Sequence, residues 1–411
     1  MVPKGWITKA LELTGVKVID GDRGKEYPKA SDFSGDGYCL FLSAKNVTKY
    51  GFQFNELQFI DAEKDKKLRK GRVKRSNIVL TTRGSVGHFA YYDASVPYDV
   101  MRINSGMVIL DADESDLEPN FLYALCRSFI VQKQIEAASF GSAQPQLTVG
   151  IVKGLKLPIP TLVEQKKIAQ ILSTWDKAIS VTEKLLTNSQ QQKKALMQQL
   201  LTGKKRLPDE NGVSFSGAWK WLRAAELFKT ISQKNNSEDE ELLAVTQDLG
   251  VIPRSMLERR VVMPDGSTKG YKLVVPGNFI ISLRSFQGGL EYSRYRGLVS
   301  PAYTVLTPIK KIVDEFYKQY YKSYDFIGHL AVAVIGIRDG KQISYEDFSF
   351  LKLPYPEIEE QQKIAAVLSA ADAEISTLEK KLACLRDEKK ALMQQLLTGK
   401  RRVKVDEAVA E

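Results

Sequence analysis

The chain has 411 residues, of which 43% are apolar and 27% charged, and these values suit ordinary buried cores in about two to four domains. Its three cysteines and two histidines are scattered, so the sequence predicts no metal cluster and favours a reducing cytoplasm. We expect neither secretion nor membrane insertion, because a secretory leader and an apolar run of about 18 residues are both lacking.

The formal net charge is +11 at pH 7. The basic excess is spread over both halves of the chain instead of being confined to one tail. A basic surface favours a polyanionic partner, since lysine and arginine bind phosphate groups.

Residues 1–156 are predicted to form a mixed α/β domain. Runs of β-branched and apolar residues at 77–80 and 107–110 predict strands, and the apolar spacing over 119–137 predicts a helix. The first of these strands leads into the loop Arg83-Gly84-Ser85-Val86-Gly87. A second polar loop, 141–144, precedes Leu155-Lys156-Leu157-Pro158.

Residues 157–206 are predicted to contain one long helix, over about 164–201. Two prolines precede it, and Gly203 stands where a helix often ends. Apolar residues recur at heptad spacing, which predicts a coiled-coil surface. Its packing residues are predicted to be Ile168, Leu172, Trp175, Ile179, Leu186, Leu196 and Leu200, and the polar residues Thr182, Ser189 and Lys193 occupy the same surface.

Residues 207–352 are predicted to form a second mixed α/β domain. The preceding stretch, 203–217, has the composition of an exposed hinge. Strands are predicted at 279–283 and 303–306, and a helix over roughly 312–327. The sequence Arg284-Ser285-Phe286-Gln287-Gly288 follows the first strand as the Arg83 loop does. Apart from such landmarks the two domains differ strongly in sequence.

Residues 353–411 repeat the long helix, followed by a tail (401–411) that we expect to be poorly ordered. Between 157–206 and 353–402, 29 of 50 positions are identical, and 193–204 recurs unchanged at 389–400. The second set of predicted packing residues is Ile364, Leu368, Ile375, Leu382, Leu392 and Leu396.

Two similar helices in one chain can pair with each other, although such a pattern also suits a simple dimerisation coiled coil. We therefore expect an α/β (mixed α+β) protein in which two long antiparallel coiled-coil helices separate two globular domains with a pseudo-two-fold relation. The expected boundaries are 1–156, 157–206, 207–352 and 353–411.

Motifs for catalysis are not evident. We find no phosphate-binding Gly-rich loop for ATP, no Pro-Pro-aromatic methyltransferase signature and no nucleophile elbow. The acid-x-Lys group Asp61-Ala62-Glu63-Lys64 lies in a run of alternating charges that is typical of a solvated face. We therefore expect a protein without catalytic, cofactor-binding or metal-binding residues.

The chain resembles the specificity subunit of type I restriction-modification systems. The resemblance rests on Leu-Pro-x-Pro, Glu-Gln-x-Lys-Ile-Ala and Ala-Leu-Met-Gln-Gln-Leu-Leu-Thr-Gly-Lys, each present twice, and on the loops at 83–87 and 141–144. It covers essentially the whole chain, but the second domain departs from the Arg-Gly-Ser pattern at Arg284.

That resemblance implies two target recognition domains, each specific for one half of a bipartite DNA site. It also implies two methylation subunits that bind S-adenosylmethionine and methylate adenine, and two restriction subunits that use ATP and Mg²⁺. The implied location is the prokaryotic cytoplasm. The alternative is a coiled-coil protein-interaction scaffold without sequence-specific DNA binding.

Arginine recognises guanine, and Asn or Gln recognises adenine, through paired hydrogen bonds. As loop residues that contact bases we predict Arg83, Ser85, Gln144, Arg284, Gln287, Arg338 and Gln342. As phosphate contacts we predict Lys45, Asn46, Lys74, Arg75, Lys269 and Lys341.

Overall fold

The computed structural model describes residues 3–139, 146–234, 240–257, 268–283, 285–333 and 343–404. The chain forms two compact units: unit 1 comprises 1–182 and 381–411, and unit 2 comprises 183–380. This division differs from the expected boundaries in chain order, because each long helix contributes one half to each unit.

Unit 1 contains most of its strands before residue 112. These strands are β1 (Ile7–Ala10), β2 (Lys17–Asp20), β3 (Cys39–Leu42), β4 (Val47–Thr48), β5 (Gly51–Phe52), β6 (Phe59–Ile60), β7 (Arg72–Val73), β8 (Ile78–Thr81), β9 (Phe89–Tyr91), β10 (Met101–Ile103), β11 (Met107–Asp111) and β12 (Lys156–Ile159). The helices that begin in this unit are α1 (Ala62–Lys67), α2 (Pro119–Cys126), α3 (Phe129–Ser139), α4 (Val149–Lys153) and α5 (Leu162–Leu200).

Unit 2 has a corresponding set of elements. Its strands are β13 (Lys220–Arg223), β14 (Phe228–Ile231), β15 (Leu243–Thr246), β16 (Gly250–Pro253), β17 (Lys272–Val274), β18 (Phe279–Ile281), β19 (Glu291–Tyr292), β20 (Gly297–Val299), β21 (Thr304–Pro308) and β22 (Lys352–Tyr355). The helices that begin in it are α6 (Ala224–Leu227), α7 (Ser285–Gly288), α8 (Asp314–Tyr320), α9 (Tyr324–Ala333), α10 (Tyr345–Ser349) and α11 (Ile358–Leu396).

Each unit contains a four-stranded sheet with the same order of corresponding strands. It is β2-β11-β8-β9 in unit 1 and β14-β21-β18-β19 in unit 2, antiparallel throughout. A two-stranded antiparallel ladder, β1-β12 or β13-β22, then leads into the long helix of each copy. The predicted mixed α/β fold is therefore confirmed, and the globular regions share a common fold despite their divergent sequences.

The long helices α5 and α11 run antiparallel, as the ion pairs within each unit show. In unit 1, Lys389 Nζ lies 2.5 Å from Asp176 and Arg402 Nε lies 2.7 Å from Glu164. The start of α5 is thus paired with the end of α11.

The corresponding residues, 196 positions away, repeat the arrangement in unit 2. Lys193 Nζ lies 2.5 Å from Asp372, and Arg206 Nε lies 2.5 Å from Glu360. Every predicted packing residue of both helices is buried or half-buried. Antiparallel pairing along the predicted surface is therefore confirmed within each unit.

The structure corrects two predicted helices, each of which is broken in the middle. The helix predicted over 119–137 ends at Cys126, because Ser128 Oγ donates to the Leu125 carbonyl at 2.6 Å. The helix predicted over 312–327 breaks between Tyr320 and Tyr324, where Ser323 Oγ accepts from the Phe326 N–H at 3.2 Å. Both serines are buried, so a short polar side chain satisfies the backbone at each break.

The expected hinge and residues 401–404 of the expected tail make defined contacts in the structure. Within 203–217, Asp209 N–H donates to Val213 O at 2.7 Å and Phe215 N–H to Leu207 O at 3.1 Å, which closes a turn. In the tail, Arg402 binds Glu164 and donates to the Lys4 carbonyl at 3.0 Å. Residues 405–411 lie outside the described part of the chain.

Candidate nucleic-acid interface

The predicted Arg83 loop lies at one end of the β2-β11-β8-β9 sheet of unit 1, directly after β8. The N–H groups of Thr82 and Arg83 donate to the carbonyl of Gly106, in the neighbouring β10–β11 turn, at 2.7 and 3.2 Å. Gly87 N–H closes the loop on the Thr81 carbonyl at 3.0 Å. The backbone of the loop is therefore held against a second turn at the same sheet end.

Two glycines allow this loop to form. Gly84 and Gly87 have φ values of +72° and +84°, which side-chain-bearing residues rarely adopt. A Cβ atom on Gly87 would also lie 3.1 Å from Ile135 Cγ2 of α3. The Arg-Gly-Ser-Val-Gly spacing thus has a conformational cause.

The exposed guanidinium of Arg83 is supported by Gln146. With its amide oxygen turned toward Arg83, Gln146 accepts from Nε at 3.1 Å and Nη2 at 2.9 Å. The backbones of the two residues are also bridged, and Leu147 N–H donates to Thr82 O at 3.0 Å. Gln146 uses two of the five N–H donors of Arg83 and restrains its plane. Sequence reasoning missed Gln146 and proposed Gln144, which lies outside the described residues.

Ser85 belongs to the Arg83 loop, and the segment that carries the predicted contacts Lys45 and Asn46 lies beside it. Ser85 is exposed, and a Cβ on Gly84 would lie 3.9 Å from Ala44 Cβ, next to Lys45. Lys45 forms a 2.6 Å ion pair with Glu56, but both side chains are more than 60% exposed, so the pair is weak and the lysine is accessible.

Asn46 is 1% exposed, and its side chain bonds the backbone of its own loop. It accepts from Ser43 N–H at 2.9 Å and donates to the carbonyls of Gln53 and Glu56 at 3.1 and 2.8 Å. Its burial does not favour the phosphate contact that we expected. Asn46 instead shapes the loop that carries Lys45.

Lys74 and Arg75 precede β8, so they lie at the opposite end of this strand from the Arg83 loop. The guanidinium of Arg75 lies 4.1 Å from the centre of the Tyr92 ring and donates to Val96 O at 3.1 Å and to Asp99 at 2.9 Å. These contacts engage Arg75 within the fold. The structure therefore separates this pair from Arg83, Ser85 and Lys45.

A groove of about 600 Å³ lies beside the Arg83 loop. Its wall includes Gly84 and Gly87 of the loop, Lys49 from the β4–β5 hairpin and Arg127 from the break between α2 and α3. Lys49 was not among the predicted residues, since nothing in its local sequence distinguishes it from other surface lysines. The groove adds two cations to the loop end of the sheet.

Unit 2 has a different structure at the corresponding sheet end. After β18 the chain enters the short helix α7, and Ser282 N–H donates to Ser285 Oγ at 2.8 Å. Four predicted residues of this unit lie outside the described part of the chain: Arg284, Arg338, Lys341 and Gln342. The side chains of Lys269 and Gln287 are likewise not described, so these contacts stay predictions.

Among the described residues, no group of three His, Cys, Asp or Glu side chains could hold a metal ion. The helices within the described ranges include none that is long and apolar enough to cross a membrane.

Comparisons with known proteins agree with the two-unit architecture. The sequence is 27% identical over 391 residues to the type I restriction enzyme MjaX specificity subunit of Methanocaldococcus jannaschii, covering 88% of this chain and 86% of that protein. It is 25% identical over 321 residues to the MjaVIII specificity subunit of the same organism, covering 74% and 75%.

The fold is similar to that of the S subunit of a type I restriction-modification system from M. genitalium. The TM-score is 0.60 at 14% sequence identity, with 96% of each chain covered. A chain from a structure of the assembly and conformational transition of a type I restriction-modification system matches with a TM-score of 0.54 at 18% identity, covering 98% of this chain and 100% of that one.

The model of one protein family matches the chain twice, over residues 5–188 and 218–385. Each match contains one globular region and most of the long helix that follows it. The chain therefore belongs to the family of the type I restriction modification DNA specificity domain.

Proposed function

We propose that this chain binds an asymmetric, bipartite site in double-stranded DNA, and that each unit recognises one half-site. In this proposal the chain is non-catalytic and directs adenine methylation and restriction by two methylation and two restriction subunits. S-adenosylmethionine, ATP and Mg²⁺ would bind to those partners, and the complex would act in the prokaryotic cytoplasm.

One observation carries the proposal: the same sheet ends in chemically different loops in the two units. In unit 1, β8 leads into a glycine turn that presents Arg83, whereas in unit 2, β18 leads into α7. A common scaffold with different loops is suited to two different half-sites, since base recognition depends on the side chains presented to the groove.

Within unit 1 we assign base recognition to Arg83. A guanidinium pairs with the O6 and N7 atoms of guanine, and a correct pair discriminates by about 1–3 kcal/mol. Gln146 restrains the guanidinium before DNA binds, which lowers the entropy lost on contact. Lys45 and Lys49, near the same loop, are suited to phosphate contacts.

The recognised sequence can be identified by methylation-aware sequencing of DNA from cells that express this chain with its methylation subunit. Binding of the full chain to that site is then measured for Arg83→Ala, with Lys17→Ala as the control, because Lys17 begins β2 at the opposite end of the sheet. We expect Arg83→Ala to weaken specific binding by roughly 5- to 150-fold and random-DNA binding much less.

Equal losses on specific and random DNA would show that Arg83 contacts only phosphate. A protein-interaction scaffold, in contrast, would give no modified motif and no sequence preference in a gel shift. The Lys17→Ala control should bind as the wild type does, because Lys17 pairs with Glu114 away from the Arg83 loop.

A further inference from the structure

A pocket of about 590 Å³ lies in unit 2 at the sheet end that corresponds to the Arg83 end of unit 1. Thr246 ends β15, Ser282 follows β18 and Tyr303 precedes β21, and all three line the pocket together with Asp248. The sheet strand β19 contributes Glu291 to the same wall. The pocket therefore occupies the position in which we place DNA recognition by unit 2.

Glu291 has an unused hydrogen-bond acceptor. The residue is 1% exposed, and its Oε1 accepts from Lys322 Nζ at 2.5 Å. Its Oε2 is buried and has no hydrogen-bond partner among the residues that the structure describes. Burial raises the pKa of this carboxyl to about 7, although the Lys322 ammonium opposes the shift. A buried acceptor without a partner is costly, so its retention needs an explanation.

Lys322 has no N–H donor left for Oε2. Its ammonium also donates to the carbonyls of Gln247 and Gly288 at 3.1 and 3.0 Å. An ammonium has three donors, and these two bonds with the Glu291 Oε1 bond account for all of them. Oε2 is therefore left without a donor from the described part of the fold, while Glu291 itself forms part of the pocket wall.

The carboxylate is specific to unit 2 and is not part of the shared scaffold. In unit 2, Glu291 pairs with Ile280 across β18 and β19. The corresponding pair in unit 1 joins Val79 to Ala90, which has no polar side chain. A feature that the two globular regions do not share is a candidate for half-site specificity.

We propose that Glu291 Oε2 accepts a hydrogen bond from the exocyclic amino group of an adenine or cytosine in the second half-site. The ionised form of the carboxylate only accepts hydrogen bonds, and a base amino group that donates to Oε2 favours this form over the protonated one. N6 of adenine and N4 of cytosine are the base donors in the major groove. Guanine and thymine present O6 and O4 acceptors there, which the carboxylate repels. This inference rests on the proposed function.

The test is selection from a randomised double-stranded DNA library with the full chain and its Glu291→Gln variant. Because Lys322 donates to the retained carbonyl oxygen, the new amide NH₂ would replace Oε2 and donate into the pocket. We expect one position of the second half-site to change from adenine or cytosine to guanine or thymine, by roughly 5- to 150-fold. The first half-site should remain unchanged.

Glu315→Gln is the matched control, since Glu315 lies in the same unit, pairs with Arg294 and is absent from the pocket wall. A second measurement needs no variant: wild-type binding to a target whose base at that position lacks its amino group should weaken by a similar factor. An unchanged motif with Glu291→Gln, or no loss on the modified base, would overturn the inference while leaving the proposed function intact. A wild-type chain that enriches no motif would overturn both.

Discussion

The ion pair of Lys389 with Asp176 offers a direct test of how charge is tolerated on the paired helices. Lys389 is 8% exposed, and burial together with Arg127 lowers the pKa of its ammonium. The Asp176 side chain is 45% exposed and also lies 3.8 Å from Arg127. The two ends of the pair therefore differ in their access to water.

We expect Asp176→Ala and Lys389→Met to differ in cost although both remove the same bond. Removing Asp176 leaves a buried ammonium beside Arg127. Breaking a fully buried pair in this way costs about 3–5 kcal/mol, and the partial exposure of Asp176 reduces our expectation to about 2 kcal/mol. Lys389→Met retains the apolar stem and leaves Asp176 with Arg127 and water, so we expect a change within about 1 kcal/mol.

The measurement is urea unfolding of the full chain, with the double variant Asp176→Ala/Lys389→Met as the decisive case. The second substitution should recover most of the stability that the first removes, because it eliminates the unpaired charge. Lys193→Met provides the counterpart of Lys389→Met in unit 2, and it should also cost no more than about 1 kcal/mol, since Asp372 is 42% exposed and keeps the Gln319 amide at 2.6 Å. If Lys389→Met destabilised the chain as much as Asp176→Ala, desolvation of the lysine would not be the dominant effect.

Three further outcomes follow from particular residues. Folding raises the Glu291 pKa from 4.5 to about 7, so its contribution to stability is complete below about pH 4.5 and is lost as pH rises through 7. Measured by thermal unfolding, the stability of the wild type should fall between pH 5 and pH 8, relative to that of Glu291→Gln, by up to roughly 3 kcal/mol. Parallel stability curves for the two proteins would refute this. Gly399→Ala and Gly203→Ala should each lower the free energy of unfolding, measured by chemical denaturation, by about 1–2 kcal/mol, because the two glycines have φ values of +68° and +70°. The loss should be larger for Gly399→Ala, since its Cβ would meet Pro3 at 2.3 Å whereas that of Gly203 would meet Trp219 at 3.3 Å. A thiol reagent should modify exposed Cys384 in the native chain and the buried Cys39 and Cys126 only after unfolding; rapid modification of all three would contradict the burial.

The long helices could be predicted from the sequence because their determinants are local. Heptad spacing, the preceding prolines and Gly203 place the first helix at about 164–201, and the structure has Leu162–Leu200. The exact repeat after 196 residues also predicts that Lys389 occupies the position of Lys193. The aspartate partner of each lysine was not predicted, since the pairing register depends on contacts between distant segments.

The breaks after α2 and α8 show where local patterns fail. Apolar spacing continues across Ser128, so the sequence predicts an uninterrupted helix there. The break depends on how Ser128 and the helix termini are buried, and these are tertiary properties. Similarly, the common sheet of the two units was not evident, because antiparallel ladders join residues far apart in the chain.

The sequence by itself determined that the chain carries two copies of a long helix, and it predicted an arginine after a strand in each globular region. Only the tertiary structure decided which polar residues share a surface with Arg83. It placed Lys45 beside that loop, buried Asn46 and put Arg75 at the opposite end of β8, although all are polar loop residues in the sequence. The physical reason is that the exposure and the hydrogen-bond partners of a side chain depend on strand pairing and packing, and the local sequence does not specify strand pairing or packing.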